Sequence, residues 1–254
     1  MKETKVIHPK FLTKTAEIDD LIHHFESSGT PFGKQTRNSL KLFELDDKTV
    51  NIKSFKIPHI INQINYKFFR KSKAQRSFEY AKKLTNLGVD TPQPIAYYEF
   101  ETAFLFKNSY YISEQLDCDL TFRELTTNLN YPDHENILRA FTRFTFSLHE
   151  KEINFLDHSP GNTLIKKAGT EYQFYLVDLN RMEFRTMDFK SRIKNLSRLT
   201  TEDDLIKVMS DEYAKLYHKS YDTVYKMLRN TINAFQNKIN LKKTLKKKLL
   251  LKKK

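Results

Sequence analysis

Three side chains with oxygen ligands are spaced in a way that suits phosphate-transfer chemistry. Asp157 is followed five residues later by Asn162, and Asp178 ends a second β-like run. The segment between them predicts a hairpin turning near residue 170, so Asn162 and Asp178 are expected to lie opposite each other within one register step. Such oxygen ligands suit Mg²⁺, which takes few protein ligands. The remaining carboxylate, Asp157, is then predicted to orient and deprotonate a hydroxyl.

This arrangement resembles the protein-kinase-like fold. In that fold an Asp, four intervening residues and an Asn carry the base and a metal ligand, and a later Asp binds metal. Asp157 and Asn162 match the spacing, and Asp178 stands where the later metal-binding Asp is expected. The adjacent Asp157-His158-Ser159 does not indicate a hydrolase, because catalytic triads are built from separated segments.

The first half of the chain supplies candidates for holding the phosphates. Lys53 ends a β-like run, as the nucleotide-binding Lys of kinases does, and it is predicted to reach the α- and β-phosphates; Lys56 is its rival. A Glu on the following helix should pair with this Lys. Glu79 is the only Glu between residues 54 and 98, and it falls in a predicted helix. The kinase resemblance therefore assigns Glu79 to position Lys53.

Two further segments are candidates for ATP binding. Gly29 and Gly33 could form a loop over the phosphates, because glycine lets backbone N–H groups approach closely. Arg37 and Asn38 are candidates to assist that loop. The segment from Glu114 to Leu116 ends the last strand of the first half. There the resemblance implies a hinge that holds adenine through its backbone.

The pattern of elements predicts an α+β chain in two lobes, with a β-rich first lobe and a mainly helical second lobe. Residues 1–20 are treated as an N-terminal extension, 21–116 as the N-lobe, 117–236 as the C-lobe and 237–254 as a Lys-rich tail. The pattern between residues 21 and 55 predicts strands, including 39–45 and 49–55. Further strands are predicted at 95–101, 109–114, 163–167 and 171–178. Helices are predicted at 60–87, 133–150 and 200–236. Asp133 is expected to cap the second of these helices.

Composition limits the class of protein. The chain has 254 residues, 39% of them hydrophobic and 30% charged, which is typical of a soluble globular protein. The single cysteine excludes an intramolecular disulfide and a multi-cysteine metal site. The formal net charge is +13, but nine lysines and no acid lie in residues 237–254. The body is therefore only mildly basic, and no nucleic-acid partner is expected.

A narrower resemblance is carried by four stretches. They are Ile52-Lys53-Ser54-Phe55-Lys56, Phe69-Arg70-Lys71-Ser72-Lys73-Ala74, Thr91-Pro92-Gln93-Pro94-Ile95-Ala96-Tyr97 and Asp157-His158-Ser159-Pro160-Gly161-Asn162. Together they resemble the bacterial lipopolysaccharide-core kinase family, which phosphorylates Kdo or heptose sugars on lipid A. The resemblance implies an ATP- and Mg²⁺-dependent sugar kinase at the cytoplasmic face of the inner membrane, with a lipid A-core glycolipid as partner.

The chain departs from the general kinase pattern at two positions. Phe155 replaces the His of the His-Arg-Asp motif, and Leu179-Asn180 replaces the Phe-Gly of Asp-Phe-Gly. Both changes argue against the regulatory switches that use those residues. The metal-binding Asp is kept.

The Lys-rich tail has its own prediction. Leu241, Leu245 and Leu249 recur at helical spacing with lysines between them, as in basic amphipathic helices that lie on anionic membranes. A disordered solubilising tail is the alternative. For the whole chain, a protein kinase of the same fold, a non-catalytic pseudokinase or membrane-associated scaffold, and a basic RNA-binding protein are the alternatives.

Overall fold

The computed structural model describes residues 1–33 and 38–251, with side chains described as far as residue 247. The described residues divide into two compact units. The first unit contains residues 1–117 and 175–181. The second contains residues 118–174 and those from 182 onward.

The first unit is built on an antiparallel sheet with three helices. Its strands run in the order β1-β5-β6-β4-β3-β2. The elements, in chain order, are β1 (Lys2–Ile7), α1 (Thr15–His23), β2 (Thr30–Pro31), β3 (Asn38–Leu45), β4 (Lys48–Phe55), α2 (Ile60–Phe68), α3 (Lys73–Asn86), β5 (Pro94–Glu101) and β6 (Phe106–Glu114).

The second unit is mainly helical. Its elements, in chain order, are β7 (Leu120–Thr121), α4 (Phe122–Thr127), α5 (His134–Glu150), β8 (Ile153–Phe155), β9 (Thr163–Ala168), β10 (Glu171–Leu176), β11 (Met182–Phe184), α6 (Phe189–Leu196), α7 (Asp203–Tyr217) and α8 (Tyr221–Leu251). Strands β10, β9 and β7 form one small sheet, and β11 pairs with β8 in another. The last two residues of β10 belong to the first unit. The α+β class predicted from the sequence is confirmed.

Period-two burial explains why β4 forms a central strand. Val50 and Ile52 are buried on one face of the strand, and Phe55 is buried on the other face in a separate cluster with Ala74 and Phe78. Lys53 lies between them in sequence, with Leu40 and Tyr111 as its neighbours on the two flanking strands. A strand paired on both sides holds its backbone rigidly, so the sheet fixes where the Lys53 side chain starts.

The core of the second unit surrounds α5. Ile137, Phe141 and Leu148 are fully buried on one face of this helix, and Phe144 is partly buried beside them, as the i, i+4, i+7, i+11 spacing predicts. Asp133 is the N-cap residue, but its side chain accepts from Asn136 Nδ2 and the Tyr172 hydroxyl instead of a helix amide. Its backbone is left-handed, at φ +59°. The predicted cap position is confirmed, and the predicted capping hydrogen bond is wrong.

The N-terminal 23 residues differ from the sequence-based expectation. Residues 2–7 form β1, which pairs antiparallel with β5, although no element is predicted there. Helix α1 then covers Thr15–His23, where strands are predicted from residue 21 onward. Ile18 and Ile22 are buried one helical turn apart against the sheet, and this packing favours the helix.

Two predicted helices are each interrupted. The stretch 60–87 contains α2 and α3 with a break at residues 69–72, where Ser72 caps α3 by accepting from the Gln75 amide. The stretch 200–236 contains α7 and the start of α8, and the break falls at His218, whose φ of +51° ends α7. Helix α8 continues into the Lys-rich tail as far as Leu251. Within the described ranges, no helix has the length and apolar composition needed to cross a membrane.

Candidate active site

The first unit brings together two of the candidate residues. Lys53 Nζ lies 2.6 Å from Asp178 Oδ1, although the residues are 125 positions apart in sequence. The Lys53 side chain is 16% exposed and that of Asp178 is 38% exposed. An ammonium and a carboxylate held together at a partly open position can receive an anionic ligand and a cation. The donor set therefore fits a metal-bound nucleotide.

The backbone around Asp178 is anchored to the loop before β5. The Leu176 amide donates to the Asp90 carbonyl at 3.0 Å, and the Thr91 hydroxyl donates to the Leu176 carbonyl at 2.7 Å. Asp178 itself adopts a left-handed φ of +58°, which is uncommon outside glycine. Asn180 Nδ2 donates to Asp178 Oδ1 at 2.7 Å. These contacts direct the carboxylate toward Lys53, and strain of this kind is typical of functional positions.

The predicted Lys53–Glu79 ion pair is wrong in this structure. Lys71 Nζ donates to both carboxylate oxygens of Glu79, at 2.9 Å and 2.8 Å. Gln75 Nε2 also donates to this carboxylate. Lys71 lies in the break between α2 and α3, and its ammonium reaches Glu79 across the first turns of α3. Asp178 takes the place of Glu79 as the carboxylate beside Lys53.

Lys56 is less suited to phosphate binding than Lys53. It follows the last residue of β4 and is exposed. Its backbone amide donates to Asn38 Oδ1 at 3.4 Å, but its ammonium has no hydrogen bond or ion pair to the residues that the structure describes. The Lys53 ammonium, in contrast, is held by Asp178 and lies 5.3 Å from the centre of the Phe55 ring. The structure therefore favours Lys53 of the two.

The glycine candidates flank β2, and the hinge candidates lie at and after the end of β6 in the same sheet. Gly29 has φ +80°, and a Cβ there would lie 2.4 Å from the Phe43 ring, so any other residue would be strained and would displace that ring. Gly33 has φ +68° with open space around it. Arg37 lies outside the described residues. Glu114 ends β6 with its carboxylate on Lys48 Nζ, and Leu116 is half-buried. Their roles in binding ATP stay predictions.

The second unit positions Asp157. Arg198 donates through Nη1 to Asp157 Oδ1 at 3.0 Å and to the Leu156 carbonyl. Asn162 Nδ2 donates to the Asp157 carbonyl at 2.8 Å, which closes the loop between β8 and β9. The amide oxygen of Asn162 is the atom that could bind a cation. The carboxylate is thus oriented from one side by a guanidinium, and its backbone is fixed from the other.

Asn195 holds the base of this loop through four hydrogen bonds. Its Nδ2 donates to the Phe155 carbonyl at 2.8 Å and to Asn154 Oδ1 at 3.1 Å. Its Oδ1 lies 2.9 Å from His158 Nδ1 and 3.2 Å from His149 Nε2. Because an amide oxygen only accepts, both imidazoles must donate to it. Asn195 therefore uses its full hydrogen-bonding capacity on residues adjoining Asp157.

The two histidines are structural in this network. His149 Nδ1 accepts from the Tyr213 hydroxyl at 2.8 Å, and His158 Nε2 is buried without a hydrogen-bond partner. The pKa of His149 is lowered to about 3 and that of His158 to about 4, and in both cases burial is the largest cause. Both are neutral in the folded protein at neutral pH. His158 also stacks on Phe155, so it packs inside the unit and does not serve as a base next to Asp157.

Acid is expected to weaken the folded protein through these two histidines. In the unfolded chain each has a pKa near 6.5, so below that pH the unfolded state binds more protons than the folded state. Their contribution to stability is complete above pH 6.5 and is lost as the pH falls toward 4. The free energy of unfolding should drop by up to about 1.4 kcal/mol per pH unit for each histidine.

Urea unfolding between pH 7.5 and 5 measures this slope. His149→Gln should make the slope shallower than that of wild type, because one titrating group is removed. His23→Gln, at a position with a 60% exposed side chain, is the matched control and should keep the wild-type slope. A His149→Gln slope equal to that of wild type would contradict the prediction.

Arg198 and Asn195 are site residues that the sequence analysis missed. Asn195 is the seventh residue of α6 and Arg198 follows that helix, and each lies about 40 residues after the segment that it holds. No local sequence motif marks either residue. Gly161 is a further case, since a Cβ there would lie 2.6 Å from an Arg123 guanidinium nitrogen. Only the fold reveals such contacts between distant segments.

The predicted juxtaposition of Asn162 and Asp178 stays a prediction. Asn162 belongs to the second unit and Asp178 to the first. No group of three or more His, Cys, Asp or Glu side chains in the described part of the chain is arranged to hold a metal ion. A magnesium site made of one carboxylate, one amide oxygen and water does not need such a group.

Comparison with known proteins identifies the family. A family model described as "Lipopolysaccharide kinase (Kdo/WaaP) family" matches residues 37–221, which is more than half of the chain. A search of curated proteins found no match. The chain is similar to a solved structure described as WaaP in complex with acyl carrier protein, with 14% identity, a TM-score of 0.64, and coverage of 92% of this chain and 97% of that one. That likeness confirms the kinase-like fold. The chain therefore belongs to the lipopolysaccharide kinase (Kdo/WaaP) family of ATP-using enzymes.

Proposed function

We propose that this protein transfers the γ-phosphoryl group of ATP to a sugar hydroxyl, of Kdo or heptose, in the lipid A-core of lipopolysaccharide. The observation that carries the proposal is the Lys53–Asp178 pair, which joins a central strand to the segment after β10 at 2.6 Å. A carboxylate loop at Asp157 in the other unit supplies the second half of the chemistry. The family match spans both segments.

Each residue has a role that follows from its chemistry. Lys53 binds the α- and β-phosphates as a point charge, and Asp178 and Asn162 provide oxygen ligands for Mg²⁺. ATP supplies the phosphoryl group, and Mg²⁺ neutralises charge on it. Asp157 accepts the proton of the acceptor hydroxyl. The hydroxyl oxygen forms a bond to the γ-phosphorus, while the bond between that phosphorus and the oxygen it shares with the β-phosphate breaks and ADP leaves. Arg198 keeps the Asp157 carboxylate in one orientation.

The Lys-rich tail supports a membrane-bound acceptor. Helix α8 carries Leu241 at 61% and Leu245 at 51% exposure, with lysines around them. Leu249 has no described side chain. Apolar side chains exposed on a basic helix suit the surface of an anionic membrane, where each lysine contributes about 1 kcal/mol. We infer that the protein works peripherally on the cytoplasmic face of the inner membrane.

Phosphotransfer to a defined acceptor tests the function. Purified protein is incubated with γ-labelled ATP, Mg²⁺ and Kdo-lipid A in detergent, with casein and lipid A lacking Kdo as parallel acceptors. Label is expected in Kdo-lipid A alone, and EDTA should abolish it. Label in casein alone would point to a protein kinase. Absence of both label and Mg²⁺-dependent ATP binding would overturn the proposal in favour of a scaffold.

A further inference from the structure

A cavity of about 590 Å³ lies in the second unit between α6 and α8. We call it the α6–α8 cavity. The middle of α8, from Thr231 to Lys242, forms one wall, and α6 and the β8–β11 pair form the other. Leu156 and Arg198 also line the cavity. All of its lining residues belong to the second unit. Its volume is that of a site for a small ligand or for part of a larger one.

The charge of the lining is strongly positive. Five cationic side chains line the cavity against a single acidic one, Glu183; the cations are Arg185, Lys194, Arg198, Lys238 and Lys242. Arg185 pairs with Glu183, and Arg198 pairs with Asp157. Lys194, Lys238 and Lys242 are exposed and form no ion pair within 4 Å with any residue that the structure describes, although Arg185 and, less strongly, the charge of Lys194 lower the pKa of Glu183. Unpaired cations at one cavity favour an anionic ligand.

The lining also has an apolar side. Leu156, Ala234, Phe235 and Ile239 line the same cavity. A ligand that matches this lining therefore carries an anionic group next to an apolar portion. Inorganic phosphate satisfies only the first requirement, and a neutral lipid satisfies only the second.

Arg198 connects the cavity to the candidate base. Its guanidinium lies 5.7 Å from the centre of the Phe235 ring on α8 and donates to Asp157 Oδ1 at 3.0 Å. One side chain is thus both a wall of the cavity and the orienting partner of Asp157. A ligand held in the cavity is therefore linked through Arg198 alone to the carboxylate that is proposed to receive the acceptor's proton.

We propose that the α6–α8 cavity binds the phosphorylated, acyl-bearing part of the acceptor glycolipid, with Lys194, Lys238 and Lys242 on its phosphate and the α8 apolar side chains on its hydrocarbon. This inference rests on the proposed function and names the part of the protein that selects the acceptor. The cavity thereby sets the distance between the lipid anchor and the hydroxyl that reaches Asp157.

Direct binding to a soluble probe tests the cavity without requiring catalysis. Titration calorimetry uses dihexanoyl phosphatidic acid below its micelle concentration, without ATP. Lys194→Glu and Lys238→Glu are each expected to weaken binding at least about tenfold, since each removes a charge-assisted contact and adds a repulsive charge. Lys190→Glu on α6 and Lys226→Glu on α8 make the same charge change at exposed positions outside the cavity. They should leave the affinity within about twofold.

Further probes separate the alternatives. Dihexanoyl phosphatidylcholine and inorganic phosphate should both bind at least about tenfold more weakly than phosphatidic acid. Equal binding of inorganic phosphate, equal weakening by the control variants, or no binding of phosphatidic acid to wild type would each overturn the proposal. Asp157→Asn should bind the probe at least as tightly as wild type, because it leaves the charge of Arg198 without its carboxylate partner. Failure of phosphotransfer and failure of the cavity proposal therefore give different results.

Steady-state kinetics adds a second readout. With Kdo-lipid A as acceptor, Lys238→Glu should raise KM for the acceptor about fivefold or more and leave kcat within about twofold, because the residue binds the ground state and the transition state equally. A drop in kcat with unchanged KM would contradict an acceptor-binding role for this wall of the cavity.

Discussion

Replacing Asp157 with asparagine is expected to lower kcat for phosphotransfer by about 10²–10⁴-fold, the range typical of losing a positioned general base. The amide is nearly isosteric with the carboxylate, and its oxygen can still accept from Arg198 Nη1, which lies 3.0 Å from Oδ1 in the native protein. Asparagine cannot take up the proton of the attacking hydroxyl. The substitution therefore removes the chemical role while preserving the local shape.

The design of this experiment separates chemistry from folding. Asp157→Asn should keep the melting temperature and the Mg²⁺-dependent affinity for ATP, because the Asn195 network that holds the loop does not use the Asp157 side chain. Asp204→Asn removes a carboxylate with an 81% exposed side chain from the same unit and should retain full activity. A kcat for Asp157→Asn within about threefold of wild type would contradict the assignment of Asp157 as the base.

The sequence was sufficient to predict segments whose local pattern carries the information. Period-two burial marks β3 and β4, and helical spacing marks the buried face of α5, and these elements agree with the structure to within a few residues. The spacing of Asp157 and Asn162 likewise predicts a short loop before β9, and in the structure Asn162 donates from its side chain to the Asp157 carbonyl and from its backbone to the Ser159 carbonyl. Patterns of this kind depend on neighbours in sequence, so a single chain reveals them.

Partners from distant segments could not be predicted in the same way. Glu79 is the only glutamate in the expected helix, yet its carboxylate pairs with Lys71, eight residues earlier, and not with Lys53. The choice between two lysines depends on the break at residues 69–72, and composition does not mark that break. Asn195 and Arg198 hold the Asp157 loop from another element, and their positions depend on how α6 packs against β8. Such information resides in the tertiary fold.

Removing the carboxylate of Asp178 should produce the second-largest loss of activity. Asp178→Asn is expected to lower kcat/KM by about 10²–10³-fold, the size typical of losing one preorganised charge-stabilising group. The native carboxylate accepts from Lys53 Nζ at 2.6 Å and from Asn180 Nδ2 at 2.7 Å, both at Oδ1. An amide keeps an oxygen for these donors but loses the negative charge that strengthens the bond to a divalent cation.

Metal dependence distinguishes the roles of the two partners. For Asp178→Asn, the ATP affinity measured with Mg²⁺ should fall toward the affinity measured in EDTA. For Lys53→Met, the affinity should fall under both conditions, because the lost group contacts phosphate directly. Asp47→Asn, at an exposed position in the same unit, is the matched control and should behave like wild type. Equal metal dependence in Asp178→Asn and wild type would rule out Asp178 as a metal ligand.

The double variant tests whether the pair acts as one unit. Lys53 and Asp178 are in direct contact in the folded protein, so their substitutions are expected to be non-additive. If the two side chains together hold one metal-bound nucleotide, losing either one already removes most of the shared function. The activity of Lys53→Met/Asp178→Asn should then lie within about tenfold of the weaker single variant. Losses that multiply would mean that the two residues contribute independently, although their side chains are 2.6 Å apart.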